Sequence, residues 1–208
     1  MSLLDGYLDN YVTKTPENNL DIINDLFKND FSDVEVVIIH SQQGCGGTHL
    51  LRHIGKELIA RNKNVYCISG EKLMKAFSNE REAVEEFLHK QSYLLVDDLS
   101  FLINHLDCLK WLNSFLKSFT LNGGRFIFTN TGTGLTTNDW LVHIGKYKVT
   151  EITSTYPSAE TLRQIAMEQL PIRVVSKHFD EACKSSNSIR EMLSILVTYD
   201  ANYKLGIM

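Results

Sequence analysis

The chain alternates between short, continuously apolar runs and longer stretches in which apolar residues recur every three to four positions. The runs are Val34–His40, Asn64–Ser69, Tyr93–Val96, Arg125–Asn130 and Lys148–Ile152. Most are hydrophobic throughout rather than alternating, as expected of strands buried on both faces of a parallel sheet. Helical patterns lie between them. Pro16 to Phe27 places Leu20, Ile22, Ile23, Leu26 and Phe27 at helical spacing, with Thr15 and Pro16 as N-cap and first residue. Thr48 to Arg61 carries Leu50, Leu51, Ile54, Leu58 and Ile59; Glu80 to His89 carries Ala83, Val84, Phe87 and Leu88. Leu106 to Phe119 carries Leu109, Leu112, Phe115 and Leu116. Strands alternating with helices of this length predict repeated βαβ units, hence an α/β doubly wound sheet.

After Ile152 only helical patterns remain. Tyr156-Pro157-Ser158 opens one that reaches about Glu168, with Ser158 as its cap, and Pro171 breaks it. A second runs from about Val174 to Cys183 and a third from about Ser188 to Tyr199. The pattern therefore predicts an α/β base over residues 1–155 and a small helical module over residues 156–208. Neither an internal repeat nor a low-complexity segment interrupts it.

Composition narrows the class. A chain of 208 residues can bury a core without disulfide or metal staples. Its 43% hydrophobic and 22% charged residues, with three prolines, describe a globular protein rather than a disordered one. A formal charge of −4 argues against binding nucleic acid by bulk positive charge, though a local basic patch is compatible with it. The longest apolar runs, such as Val36–Ile39, fall far short of the ~20 residues that span a bilayer. Met1-Ser2-Leu3-Leu4-Asp5 has no basic leader region, so a secreted precursor is not expected. Four scattered cysteines without a C-x-x-C pair fit the reduced thiols of a cytoplasmic protein. His49 and His53 share a helix face but lack the intervening Glu and a third ligand, so no zinc is expected. Trp111 and Trp140, in apolar surroundings, read as packing residues.

The first strand runs into Ser41-Gln42-Gln43-Gly44-Cys45-Gly46-Gly47-Thr48 and a helix follows at once. In that context a Gly-rich turn presents backbone N–H groups and a helix N-terminus to an anion. Against the nucleotide pattern G-x-x-x-x-G-K-S/T, Ser41 stands at the first glycine and Gly47 at the lysine, while Gly44, Gly46 and Thr48 fit. Two readings follow: a phosphate cradle with Thr48 on Mg²⁺, or a strand–helix turn without that task. Cys45 reads either as a small loop residue or as a redox brake, since a helix N-terminus lowers a thiol pKa.

A second motif favours the cradle. Tyr93-Leu94-Leu95-Val96-Asp97-Asp98 is an apolar strand ending in two carboxylates. On a strand neighbouring the loop, Asp97 would reach the Mg²⁺ of a bound nucleotide and Asp98 would orient a water. The bland alternative is a pair of cap or turn carboxylates.

These residues resemble those of the DnaA-related AAA+ family. Gly44-Cys45-Gly46-Gly47-Thr48-His49-Leu50-Leu51 and His53-Ile54-Gly55 resemble its G-L-G-K-T-H-L-L…A-I-G stretch. Ser69-Gly70-Glu71-Lys72-Leu73 resembles S-S-E-K-F, and Leu94-Leu95-Val96-Asp97-Asp98-Leu99-Ser100-Phe101-Leu102 resembles L-L-I-D-D-I-Q-F-L. Ser188-Ile189-Arg190-Glu191-Met192 is similar to the N-I-R-E-L of its lid helix, and Leu8-Asp9-Asn10-Tyr11-Val12 to F-D-N-F-V. The resemblance implies an AAA+ P-loop NTPase-type fold, a parallel five-stranded sheet with a small C-terminal helical lid. It implies a pocket for ADP or ATP with Mg²⁺ built from Gly44, Cys45, Gly46, Gly47, Thr48, His49 and Arg190, with Thr48 and Asp97 on the metal.

The departures from the family pattern shape the functional expectation. Gly47 in place of lysine removes a charge-assisted phosphate contact worth roughly 1.5–3 kcal/mol, hence about 10- to 100-fold in affinity. Arg52 and Lys56 lie further along the helix and are expected to project away from the loop. Between Arg125 and Arg163 there is no arginine, only Lys146 and Lys148 as strong bases. The family's arginine finger, worth about 10³–10⁵ in rate where it operates, has no counterpart there. Asp97, Asp98 and Asn130 then read as vestigial catalytic positions. Asn130 reads as a sensor or a turn amide, and Arg190 as the second sensor or a salt bridge with Glu191. The stretch between the second and third strands is short, and the chain stops with the lid, so the family's contacts to single-stranded and duplex DNA are not expected. The reading is of an adaptor or regulator of DNA replication initiation, like the short Hda-like members, acting on a DnaA-like initiator or a replicative helicase. Ser2–Leu8 has no glutamine, so clamp binding of the Hda kind is not supported. Two alternatives stand beside it: a weak ATPase of the DnaC-type helicase-loader class that completes its site in an oligomer, and a nucleotide-free scaffold.

Overall fold

All five apolar runs become strands in the computed structural model, which describes residues 20–102, 105–131, 147–154 and 156–205. They are β1 (Val36–Ser41), β2 (Val65–Ser69), β3 (Tyr93–Asp97), β4 (Arg125–Asn130) and β5 (Val149–Ser154). Every pairing is parallel and the order is β2-β3-β4-β1-β5. The base helices are α1 (Leu20–Lys28), α2 (Gly47–Ala60), α3 (Gly70–His89) and α4 (Leu106–Leu121). Those of the C-terminal module are α5 (Ala159–Gln169), α6 (Ile172–Ser185) and α7 (Ile189–Lys204). The expectations on Ser2–Leu8, Leu8–Val12, Thr15, Pro16, Trp140 and Lys146 lie outside the described residues.

Each strand feeds two cores because successive side chains point to opposite faces. Val36, Ile38, Leu94, Val96, Phe126 and Phe128 join Trp111, Leu112, Phe115 and Phe119 of α4 on one face. Val37, Ile39, Leu95, Ile127 and Ile152 join Leu50, Leu51, Ile54 and Leu58 of α2 on the other. At about 1.5–3 kcal/mol for each large apolar side chain taken out of water, these two layers hold the strand ends in register. Trp111 is a packing residue, 2% exposed, whose ring N–H donates to Glu85.

The sequence pattern placed a helix only over Glu80–His89. In the structure α3 begins ten residues earlier at Gly70, capped by Ser69 Oγ on the Lys72 amide, and it breaks at Glu80 (φ −144°, ψ 48°). Its first half has few buried apolar positions, Leu73 being the fully buried one, so it lacks the stripe that periodicity detects. The module's helices enclose a third core of Leu162, Ala166, Val174, Val175, Phe179, Met192 and Leu196. Ser158 caps α5 by accepting from the Thr161 amide at 3.2 Å. Among the described residues no helix is long and apolar enough to cross a membrane.

Candidate functional site

The carboxyl ends of β1, β4 and β3 lie side by side, and the loops that leave them build one cleft. After Ser41 the chain turns through Gln42–Gly46 before α2 begins. Gly44 and Gly46 take positive φ (82° and 89°), a backbone that favours glycine. The Cys45 amide donates to Gln42 O at 3.1 Å and the Cys45 carbonyl accepts from Ser154 Oγ at 2.7 Å, which ties the turn to the end of β5. The Cys45 thiol is 2% exposed, and burial raises its pKa. Of the two readings of Cys45, this favours the small loop residue over the redox brake, since the side chain turns into the protein and desolvation disfavours the thiolate.

Thr48, in the first turn of α2, donates through Oγ1 to Asp97 Oδ1 at 3.0 Å. Thr129, at the end of β4, donates to the same oxygen at 2.8 Å and accepts the Asp98 amide at 2.7 Å. The end of the strand bearing Asp97 thus neighbours the loop as expected, although β4 lies between β3 and β1 and its Thr129 bridges the gap. Asp98 sits at φ 57°, and its Oδ1 accepts from Thr131 Oγ1 at 2.8 Å and from Ser100 Oγ. Two hydroxyls thus hold a carboxylate for which the sequence suggested a water-orienting task.

Asn130 is buried at 7% and is not among the residues lining the cleft, whereas Thr131 is. Sequence reasoning chose the middle of Thr129-Asn130-Thr131 and passed over the two threonines. Strand alternation was the available signal, since side chains two apart share a direction and the intervening one points the other way.

The helical module supplies the cleft's far wall. Ser188 caps α7 by accepting the Glu191 amide at 3.1 Å, while Glu191 Oε2 accepts the Asn187 amide at 2.7 Å, a reciprocal arrangement of the capping-box type. The Ile189 amide then donates to Gly44 O at 3.2 Å. A Cβ on Gly44 would lie 2.1 Å from Ser188 Cβ, so this closeness of loop and helix requires glycine. Arg190 lines the cleft, and among the described residues no ion pair joins it to Glu191.

The cleft encloses about 800 Å³ between the loop, the two aspartates and Arg190. Ile165, Ile189 and Leu193 give it an apolar wall from the module. His49 and Arg52 line it too, and Arg52 corrects the expectation that it projects away: four residues after Thr48, it returns to the same helix face. Cys67, beneath the site, registers both charges. Burial pushes its thiol up to about 12, the Asp97 carboxylate adds to the rise and the Arg52 guanidinium opposes it. An apolar wall beside a polar Gly-rich turn suits a nucleotide's base and phosphates. Thr48 and Asp97 are two hard oxygen donors. Among the described residues no cluster of three or more His, Cys, Asp or Glu adds to them, so a divalent ion here would rely on phosphate oxygens.

The model of the bacterial DnaA ATPase domain family matches residues 8–137. The chromosomal replication initiator protein DnaA of Helicobacter hepaticus is 33% identical over 70 residues, 31% of this chain and 15% of that protein. Domain III of Thermotoga maritima DnaA superposes with a TM-score of 0.73 at 18% identity, covering 99% of this chain and 92% of that one. AMPPCP-bound DnaA from Aquifex aeolicus gives a TM-score of 0.75 at 16% identity, with 96% and 66% covered. The chain thus aligns with a small part of the initiator it matches in sequence, and with about two-thirds of the Aquifex structure.

Proposed function

Because the chain belongs to the family of bacterial DnaA ATPase domains, we propose that it is a DnaA-like AAA+ adaptor of replication initiation. In this reading it acts through protein–protein contacts around a nucleotide pocket with little catalytic power. Residues 1–155 form the base and residues 156–208 the lid. One observation carries the reading: Thr48 bonds Asp97 at 3.0 Å, yet position 47, where the pattern calls for lysine, is a glycine. The means of engaging Mg²⁺ and phosphate are kept while the main cation is absent.

Within the pocket, the amides of Gly44 to His49 and the Arg190 guanidinium would hold the phosphates of ADP or ATP. Thr48 and Asp97 would hold Mg²⁺, which supplies charge neutralisation between the phosphates. Asp98, bonded by Thr131 and Ser100, positions the end of β4 rather than a water. Asn130 is vestigial. Without the lysine and an arginine finger, hydrolysis is strongly impaired, and bound nucleotide serves to clamp lid to base. The partners are a DnaA-like initiator or a replicative helicase in the cytoplasm, and direct contact with duplex DNA plays no part.

The test is a thermal-shift titration with Mg-ADP and Mg-ATP, run beside an ATPase assay and capture by the host's initiator and helicase. The expected result is stabilisation above ~100 µM nucleotide by linkage, no turnover, and capture of one of those two partners. The intact Thr48–Asp97 bond also favours a second reading, a slow ATPase of the helicase-loader type that completes its site in an oligomer. Turnover that appears with partner present and vanishes in Asp97→Asn would establish it in place of the first. Absence of any nucleotide shift would leave a scaffold.

A further inference from the structure

The two departures of the loop from the nucleotide pattern, Ser41 and Gly47, touch each other. The Gly47 amide donates to Ser41 Oγ at 3.1 Å, and that hydroxyl donates in turn to Gln42 O at 3.0 Å. A Cβ built on Gly47 would lie 2.5 Å from Ser41 Cβ and 2.7 Å from Ser41 Oγ. The nearer of these is a rigid Cβ, one bond from the backbone, so changing the serine rotamer does not clear the space. Both residues are buried, at the junction of β1 and α2. A serine at 41 therefore excludes any side chain at 47, and a glycine at 47 makes room for the serine.

The bond has a chemical consequence. The first amides of a helix lack partners within the helix and are what a strand–loop–helix turn offers to an anion. Here one of them already has an acceptor from within the chain. We infer that Ser41 and Gly47 act as one coupled unit, in which the serine hydroxyl occupies the amide that a nucleotide phosphate would take. One amide of the cradle is thus engaged by the loop itself, in addition to the missing lysine. A nucleoside di- or triphosphate must displace the hydroxyl before it can use that amide. This deepens the phosphate-loop reading above and rests on it.

The inference is tested with a cycle of Ser41→Ala, Ser41→Gly, Gly47→Lys and the Ser41→Gly/Gly47→Lys double variant. Unliganded melting temperature and affinity for fluorescent ADP with Mg²⁺ are measured for each. Ser41→Ala frees the amide and keeps the Cβ, so it should tighten ADP by about 2- to 10-fold, the share of one neutral hydrogen bond. Gly47→Lys alone should melt lower than the parent by several degrees and gain no affinity. Adding Ser41→Gly should restore its melting temperature and tighten ADP by about 10- to 100-fold over the parent, the share of a charge-assisted contact. A Gly47→Lys protein as stable as the parent, and binding ADP as tightly as the double variant, overturns the coupling. Unchanged affinity in Ser41→Ala, with ADP bound by the double variant, overturns the hydroxyl's role at the amide. A melting-temperature rescue with no nucleotide bound by any variant upholds the coupling and overturns the phosphate-loop reading instead.

Discussion

Thr129 has no exposure to solvent, and its hydroxyl carries two bonds, accepting the Asp98 amide and donating to Asp97. Its hydroxyl is thus the link between the ends of β3 and β4 and, through Asp97, to Thr48 of α2. Replacing it by valine keeps the shape and removes both bonds. An amide and a carboxylate at a buried site then lose a partner, each at about 1–3 kcal/mol. Thr129→Val should therefore lower stability in urea by about 2–6 kcal/mol, whereas Thr131→Val, whose hydroxyl meets Asp98 at the cleft wall, should cost less. Equal losses would show that Thr129 is no more central than its neighbour. The same residue marks a boundary of what the sequence conveys. Asp97, Thr48 and Gly46 stand in a recognisable pattern, but the hydroxyl that joins them comes from a strand whose position in the sheet order only the fold reveals.

Among the helices, α2 does most to organise the site, because one face buries Leu50, Leu51, Ile54 and Leu58 and the other offers Thr48, His49 and Arg52 to the cleft. His53 sits partly buried on it, and burial lowers its pKa from the ordinary 6.5, with nearby Lys56 acting in the same direction and Glu57 against both. The unfolded chain therefore takes up this proton before the folded one does. Stability contributed by neutral His53 is present above about pH 6.5 and is lost as pH falls through the lowered value. His53→Gln should flatten the fall in stability as pH drops below about 6.5, read as the slope of urea midpoint against pH. An unchanged slope would assign that limb to other groups. Element boundaries show where the sequence was sufficient. All of β4 was legible because its ends coincide with a glycine pair and a polar Thr-Asn-Thr. The first half of α3 was not, since its residues pack with too few apolar contacts to leave a period, and the break at Glu80 separates it from the half that does. The five strands and three lid helices were legible for the opposite reason: two-sided burial and clear caps leave marks in sequence.

Taken over the described residues, the molecule has three apolar cores, two against the sheet and one inside the helical module. None of the three mixes module residues with sheet residues, and the module meets the base across the cleft. The Ile189 amide on Gly44 O and the fit of Ser188 over Gly44 are contacts of a kind that water can replace at little cost. A nucleotide reaching from Thr48 and Asp97 to Arg190 would add bonds that exist only when module and base are together. Ligand binding and closure are then linked, and each strengthens the other. Hydrogen exchange at the start of α7 reads this directly, since the Ile189 amide is protected only while it meets Gly44 O. Saturating Mg-ADP should slow exchange in a peptide spanning residues 186–193 and raise the melting temperature together. Arg190→Ala should abolish the added protection while leaving exchange in β1 and β4 of the unliganded protein unchanged, because the cores of those strands contain no residue of the module. Protection that spreads equally through the sheet would mean that nucleotide stabilises the fold as a whole, with no special role for the module as a clamp.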